Sequence, residues 1–85
     1  MNENHFFIRC KSTVHVSFDV FYREDGGWAF ANDWERAQNF DTYFLAQLEI
    51  IKLRHDQTRA RHVRDNLSIV DDEFLVLASL EASLA

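Results

Sequence analysis

The sequence holds no proline, two glycines, one cysteine and one methionine in 85 residues. Each shortage removes a class of answer. The lone Cys10 excludes an internal disulfide framework and points to a reducing compartment, so a cytoplasmic location is the expectation. No uninterrupted apolar run approaches the roughly 20 residues that a membrane span requires. The opening MNENHFF has neither the basic segment nor the long apolar core of a secretory signal. Without proline, helix ends must be set by polar side chains, and Asp41, Asn66, Ser68 and Asp71 stand where such ends are expected. The glycines are adjacent, Gly26 and Gly27, so the chain has a single glycine turn. Aromatics are almost missing after Phe44, where only Phe74 follows, and bases are missing after Arg64.

What is present excludes disorder, since 47% of the residues are hydrophobic and 14% aromatic. The length fits one domain spanning residues 1–85. A chain this short buries only about 60–65% of its unfolded surface. Its net stability is then on the order of 5–10 kcal/mol. Such a domain needs a dense aromatic core or a partner.

Period-two alternation is clearest from Val14 to Arg23, with Val14, Val16, Phe18, Val20 and Tyr22 on one face. His5 to Cys10 reads as another strand, with Phe6, Ile8 and Cys10 on one face and Phe7 on the other; Lys11-Ser12-Thr13 turns the chain between them. Gly26-Gly27 then closes a hairpin. A three-residue loop, Asp25-Gly26-Gly27, pairs Glu24 with Trp28 and Tyr22 with Phe30, and puts Trp28 and Phe30 on the Val20 face. That loop needs a left-handed residue at its last position, which assigns the role to Gly27.

Asn32-Asp33 offers a cap for a short helix or turn through Trp34, Arg36 and Ala37. A longer helix runs from Thr42 to about Arg54 after an Asp41 cap. Its apolar residues fall in two arcs, Phe44-Leu48-Ile51 and Tyr43-Ala46-Ile50-Leu53, which suggests contact with the sheet and with a second helix or subunit. Residues 55–66 either continue this helix to Asp65-Asn66 or include a short strand, Ala60 to Arg64. Ser68-Ile69-Val70-Asp71 has the spacing of a capping box, and Phe74 to Leu84 is apolar nearly all round. The expected fold is α+β: an antiparallel sheet of about three strands packed against one long helix, with a C-terminal helix following.

Chemistry-bearing residues do not assemble into a reactive set. His15, Ser17 and Asp19 share a strand face, but residues two apart on a strand are separated by about 6.6 Å, too far for a nucleophile and its base. His55 and His62 would lie about 10.5 Å apart along a helix, beyond joint zinc ligation. Asp71, Asp72 and Glu73 lack the spacing of a calcium loop and suit a helix N-terminus. No enzyme, metal or cofactor is expected.

Two surfaces remain. Phe7 and Phe21 fall opposite the main strand stripe, and Phe74, Leu77, Leu80 and Leu84 belong to a helix with more apolar positions than one contact covers. These six are the candidate partner-binding residues, for a protein partner or a homodimer. The alternative is a basic island, Lys52, Arg54, Arg59, Arg61 and Arg64, which offsets only Asp56 within residues 52–64 of a chain whose net charge is -5. It would serve nucleic acid if it gathers on one face; otherwise Arg61 and Arg64 would pair with Asp71 to Glu73 across a helical hairpin. The expected function is a small non-enzymatic protein-interaction or inhibitory and regulatory module. By association, phage and mobile elements encode small acidic regulators of this size.

Overall fold

The computed structural model describes residues 5–11 and 19–84. Strands β1 (Phe6–Lys11), β2 (Asp19–Tyr22), β3 (Trp28–Phe30) and β4 (Leu67–Asp71) form one antiparallel sheet in the order β3-β2-β1-β4. Helices α1 (Tyr43–His55), α2 (Arg61–Asp65) and α3 (Asp72–Leu84) and a 3₁₀ segment, Ala31–Arg36, complete an α+β fold. Among the described residues, no helix is long and apolar enough to cross a membrane. Lys11, expected in a turn, is the last residue of β1 and pairs with Asp19, while Ser12, Thr13 and Val14 to Phe18 lie outside the described residues.

The sheet has one strand more than about three. The additional strand is β4, from the stretch that has capping-box spacing. Its β-branched residues Ile69 and Val70 pair with Ile8 and Phe7, and the strand as a whole pairs along Phe6 to Cys10. Capping survives in shifted form. The Asp71 carboxylate accepts from the Phe74 amide at 3.0 Å, so the helix opens at Asp72 and not at Ile69.

Alternation in β1 is observed as expected, and both of its faces are covered. On one face Ile8, Cys10, Tyr22 and Leu67 pack against Ala46, Ile50 and Leu53 of α1, with Phe40 beside them. On the other, Phe7 and Phe21 pack against Ala37 and Leu75, flanked by Trp34 and Phe74. The helices α1 and α3 therefore lie on opposite sides of the sheet, and the helical hairpin is not formed.

The hairpin departs from its expected register. Tyr22 pairs with Trp28 and Val20 with Phe30. The Arg23 amide donates to the Gly27 carbonyl at 2.9 Å, and the Gly26 amide to the Arg23 carbonyl at 3.0 Å. The loop is Glu24-Asp25-Gly26, and its left-handed residue is Gly26, with φ 90°. The shift is two residues, so each side chain keeps its face. Tyr22 and Trp28 meet edge to face at 5.6 Å.

After β3 the chain returns between strands. Phe6 and Phe40 exchange backbone hydrogen bonds of 2.9 and 2.8 Å, and the Gln38 amide donates to the Tyr22 carbonyl at 2.8 Å. Residues 37–40 thus fill the splayed end of the β1–β2 pair. The preceding 3₁₀ segment has no side-chain cap, and Asp33 interrupts it at φ -122°, ψ 29°, so Asn32-Asp33 is not its cap.

Thr42, not Asp41, caps α1, its hydroxyl accepting from the Leu45 amide at 3.2 Å. The helix stops at His55 because Asp56 accepts from the amide and hydroxyl of Thr58, at 3.0 and 2.6 Å. The following residues form α2 as a separate short helix, ended by Asn66.

Candidate protein-binding surfaces

The two arcs of α1 meet different environments. Ala46, Ile50 and Leu53 are buried against the sheet. Phe44, Leu48 and Ile51, at i, i+4 and i+7, are 64%, 42% and 52% exposed. They border a groove of ≈ 540 Å³ between α1 and β4, where Leu67 and Ile69 form part of the wall. The helical period makes this arc visible in the sequence, where the two arcs point to contact with the sheet and with a second helix or subunit; the six expected partner-binding residues do not include it.

A second open stripe lies across the sheet on α3. Leu75 is buried beneath it. Val76, Leu77 and Leu80 are exposed by 49%, 59% and 57%. Of the expected partner-binding residues, Leu77 and Leu80 are on this stripe, and the side chain of Leu84 lies outside the described residues. Phe74 is partly buried, with the Arg9 guanidinium 4.8 Å from its ring centre. Phe7 and Phe21 are not surface residues. They stand opposite the main stripe, but α3 and Ala37 cover that face and leave them 4% and 0% exposed.

The basic island is divided among separate local contacts. Arg59 turns inward. Its Nη2 donates to the Gly26 carbonyl at 2.9 Å, and its Nε lies 3.3 Å from the Asp56 carboxylate. Its guanidinium carbon stands 5.6 and 5.9 Å from the Tyr22 and Trp28 ring centres. Arg64 donates to the Arg59 carbonyl at 3.2 Å, and Arg61 pairs with Asp65 at 3.5 Å. Arg54 reaches the Leu67 carbonyl at 3.5 Å, and Lys52 is exposed on α1. The partners of Arg61 and Arg64 are thus local, not the acidic start of α3. Arg59 as the support of the hairpin loop had no local sequence signal, since Gly26 lies 33 residues away.

Titration follows these contacts. Burial raises the Tyr22 phenol above its ordinary 10.0, and the Glu49 carboxylate, which accepts its hydrogen bond at 3.2 Å, adds to this. The Gly27 amide is the main cause holding the Asp25 carboxyl below 3.8, with Arg23 assisting. Thr58 is the main cause for Asp56, with Arg59 assisting.

His15 and Ser17 lie outside the described residues. Asp71 is spent on capping, and Asp72 lies 3.7 Å from His5. Among the described residues, no three His, Cys, Asp or Glu side chains group as metal ligands. A polar crevice of ≈ 630 Å³ separates the hairpin loop from residues 35–39 and carries charges of both signs, Arg23 and Arg36 beside Glu24, Asp25 and Glu35. No protein-family model, curated protein or solved structure matches the chain.

Proposed function

We propose that the chain is a non-enzymatic protein-interaction module, inhibitory or regulatory in role, which engages its partner through the open stripe of α3. The observation that carries this reading is the exposure of Val76, Leu77 and Leu80 on one side of a helix whose opposite side is already packed. Leaving such a stripe in water forgoes stabilisation that a small domain needs, and contiguous apolar surface of this kind marks interaction sites. The exposed Glu73 and Glu81 lie at the two ends of the stripe. The matching receptor is an apolar groove with a basic rim, which takes an amphipathic helix by its i, i+3 and i+4 positions.

Leu77→Lys and Leu80→Lys test the reading. Both side chains are exposed, so the circular dichroism spectrum and melting temperature should hold while affinity for a purified partner falls roughly a hundredfold. Unchanged affinity in the double variant overturns it. Salt-sensitive binding to DNA or RNA that disappears on neutralising Lys52, Arg54 and Arg61 would replace it with a nucleic-acid role.

A further inference from the structure

We infer that the outer edge of β4 and the apolar arc of α1 form a homodimer interface, in which two copies pair their β4 strands antiparallel about Ile69. This goes beyond the α3 reading and uses a different surface.

The polarity of the edge comes first. Phe6 spends both backbone bonds on Phe40, on the β2 side. Antiparallel alternation then turns Phe7, Arg9 and Lys11 toward β4. Lys11 does donate to the Asn66 carbonyl, at 3.3 Å. Val70 and Ser68, the partners of Phe7 and Arg9, face inward, and Leu67 and Ile69 present their backbone groups outward. The reach of Arg54 to the Leu67 carbonyl at 3.5 Å agrees.

Among the described residues, no strand pairs with this edge. Two of the usual protections are missing from it, and Arg54 covers only the Leu67 carbonyl. The segment LSIVD has no lysine and no proline. The other edge, β3, is only three residues long.

The edge is self-complementary. A twofold axis at Ile69 sets each Ile69 against its copy and each Leu67 against Asp71, with outward groups meeting outward groups. Opposed residues in an antiparallel pair share a face. Both α1 helices therefore come to one side of a continuous sheet. Helix α1 packs over β1 and β4. With strands about 4.8 Å apart, each helix axis stands about 4.8 Å from the twofold axis. The two helices are then about 10 Å apart, the separation at which helices pack, and Phe44, Leu48 and Ile51 are the residues that meet.

Charge agrees with this register. Arg54 sits at Leu67, and Asp71 of the second copy arrives opposite Leu67. The Asp71 carboxylate oxygen not used in the Phe74 cap so meets a guanidinium at both ends of the strand pair.

Sedimentation equilibrium of the full chain up to about 100 µM, enough to saturate a micromolar dimer, should give twice the 10.1 kDa monomer mass. Phe44→Glu with Ile51→Glu should weaken dimerisation by roughly tenfold or more with an unchanged circular dichroism spectrum. Register is read by cross-linking in a Cys10→Ala background. Opposed Ser68 and Val70 would have Cα atoms about 4.5 Å apart, within disulfide range. A mixture of Ser68→Cys and Val70→Cys chains should oxidise to a dimer faster than either alone. A monomer at the highest concentration overturns the inference, as does equal cross-linking in all three samples. A dimer abolished by Leu77→Lys and Leu80→Lys but not by the α1 variants also overturns it and assigns self-association to α3.

Discussion

Arg59 joins two parts of the chain that lie 33 residues apart, and its geometry decides what a substitution costs. One planar group serves the Gly26 carbonyl and two aromatic rings at once. A hydrogen bond from a charged donor and two cation–π contacts together contribute about 2 kcal/mol. Arg59→Ala should lower unfolding stability by about that amount in a urea titration. Arg59→Lys should recover little, because an ammonium cannot hold the carbonyl and face both rings. Acid acts on the same region. The carboxyls of Asp25 and Asp56 are held below 3.8 in the fold. Their ionised forms contribute stability that is fully present above that value and is lost as pH falls through the lower folded values. Melting temperature should therefore drop between pH 4 and pH 2 on this account, and Asp56→Asn should flatten part of that slope. An unchanged slope would remove Asp56 as a cause.

Helix α1 shows which inferences a local pattern supports. Its two arcs follow from the helical period alone, and the structure puts one on the sheet and the other in the open. Leu53→Ala should cost about 2–4 kcal/mol by calorimetry, whereas Leu48→Ala on the exposed arc should cost under about 0.5 kcal/mol in the monomer. The strands were legible in the same limited sense. The faces of the hairpin followed from alternation, and an even-numbered error in register left them intact. Which glycine turns left was not legible, because both loops satisfy the same alternation. Segment 67–71 is ambiguous in the sequence for a physical reason. A capping box and a strand are both consistent with Ser-Ile-Val-Asp, and the decision is made by β1, some 60 residues away. Alternation alone places Phe7 and Phe21 on open surface, because nothing local says that α3 returns to cover them. The surplus of apolar positions on α3, by contrast, is legible in the sequence, but which of them stay open is not, since Val76 is exposed and Phe74 is partly covered.

At the scale of the molecule, a four-stranded sheet is covered on both faces by a chain of only 85 residues. The second face has a small cluster centred on Phe21 and Leu75. Truncating Phe21 removes a fully buried ring from it, a change that costs about 3–5 kcal/mol. Against a total of about 5–10 kcal/mol, Phe21→Ala should leave a marginal domain, seen as a broadened or absent thermal transition at 37 °C. A cooperative melt within a few degrees of the parent would show that α3 does not depend on that ring.

The position of β1 in the middle of the sheet also has a consequence in time. It is the first of the described strands to be synthesised, yet its neighbour β4 is made about 60 residues later, roughly 3–12 s at ordinary translation rates. Until then one flank of β1 has no strand to pair with, and Phe7 still waits for Leu75 of α3, which is made later again. The nascent chain thus spends seconds as an unsealed hairpin, a natural client for a chaperone, and translation arrested before Leu67 would release an aggregation-prone fragment.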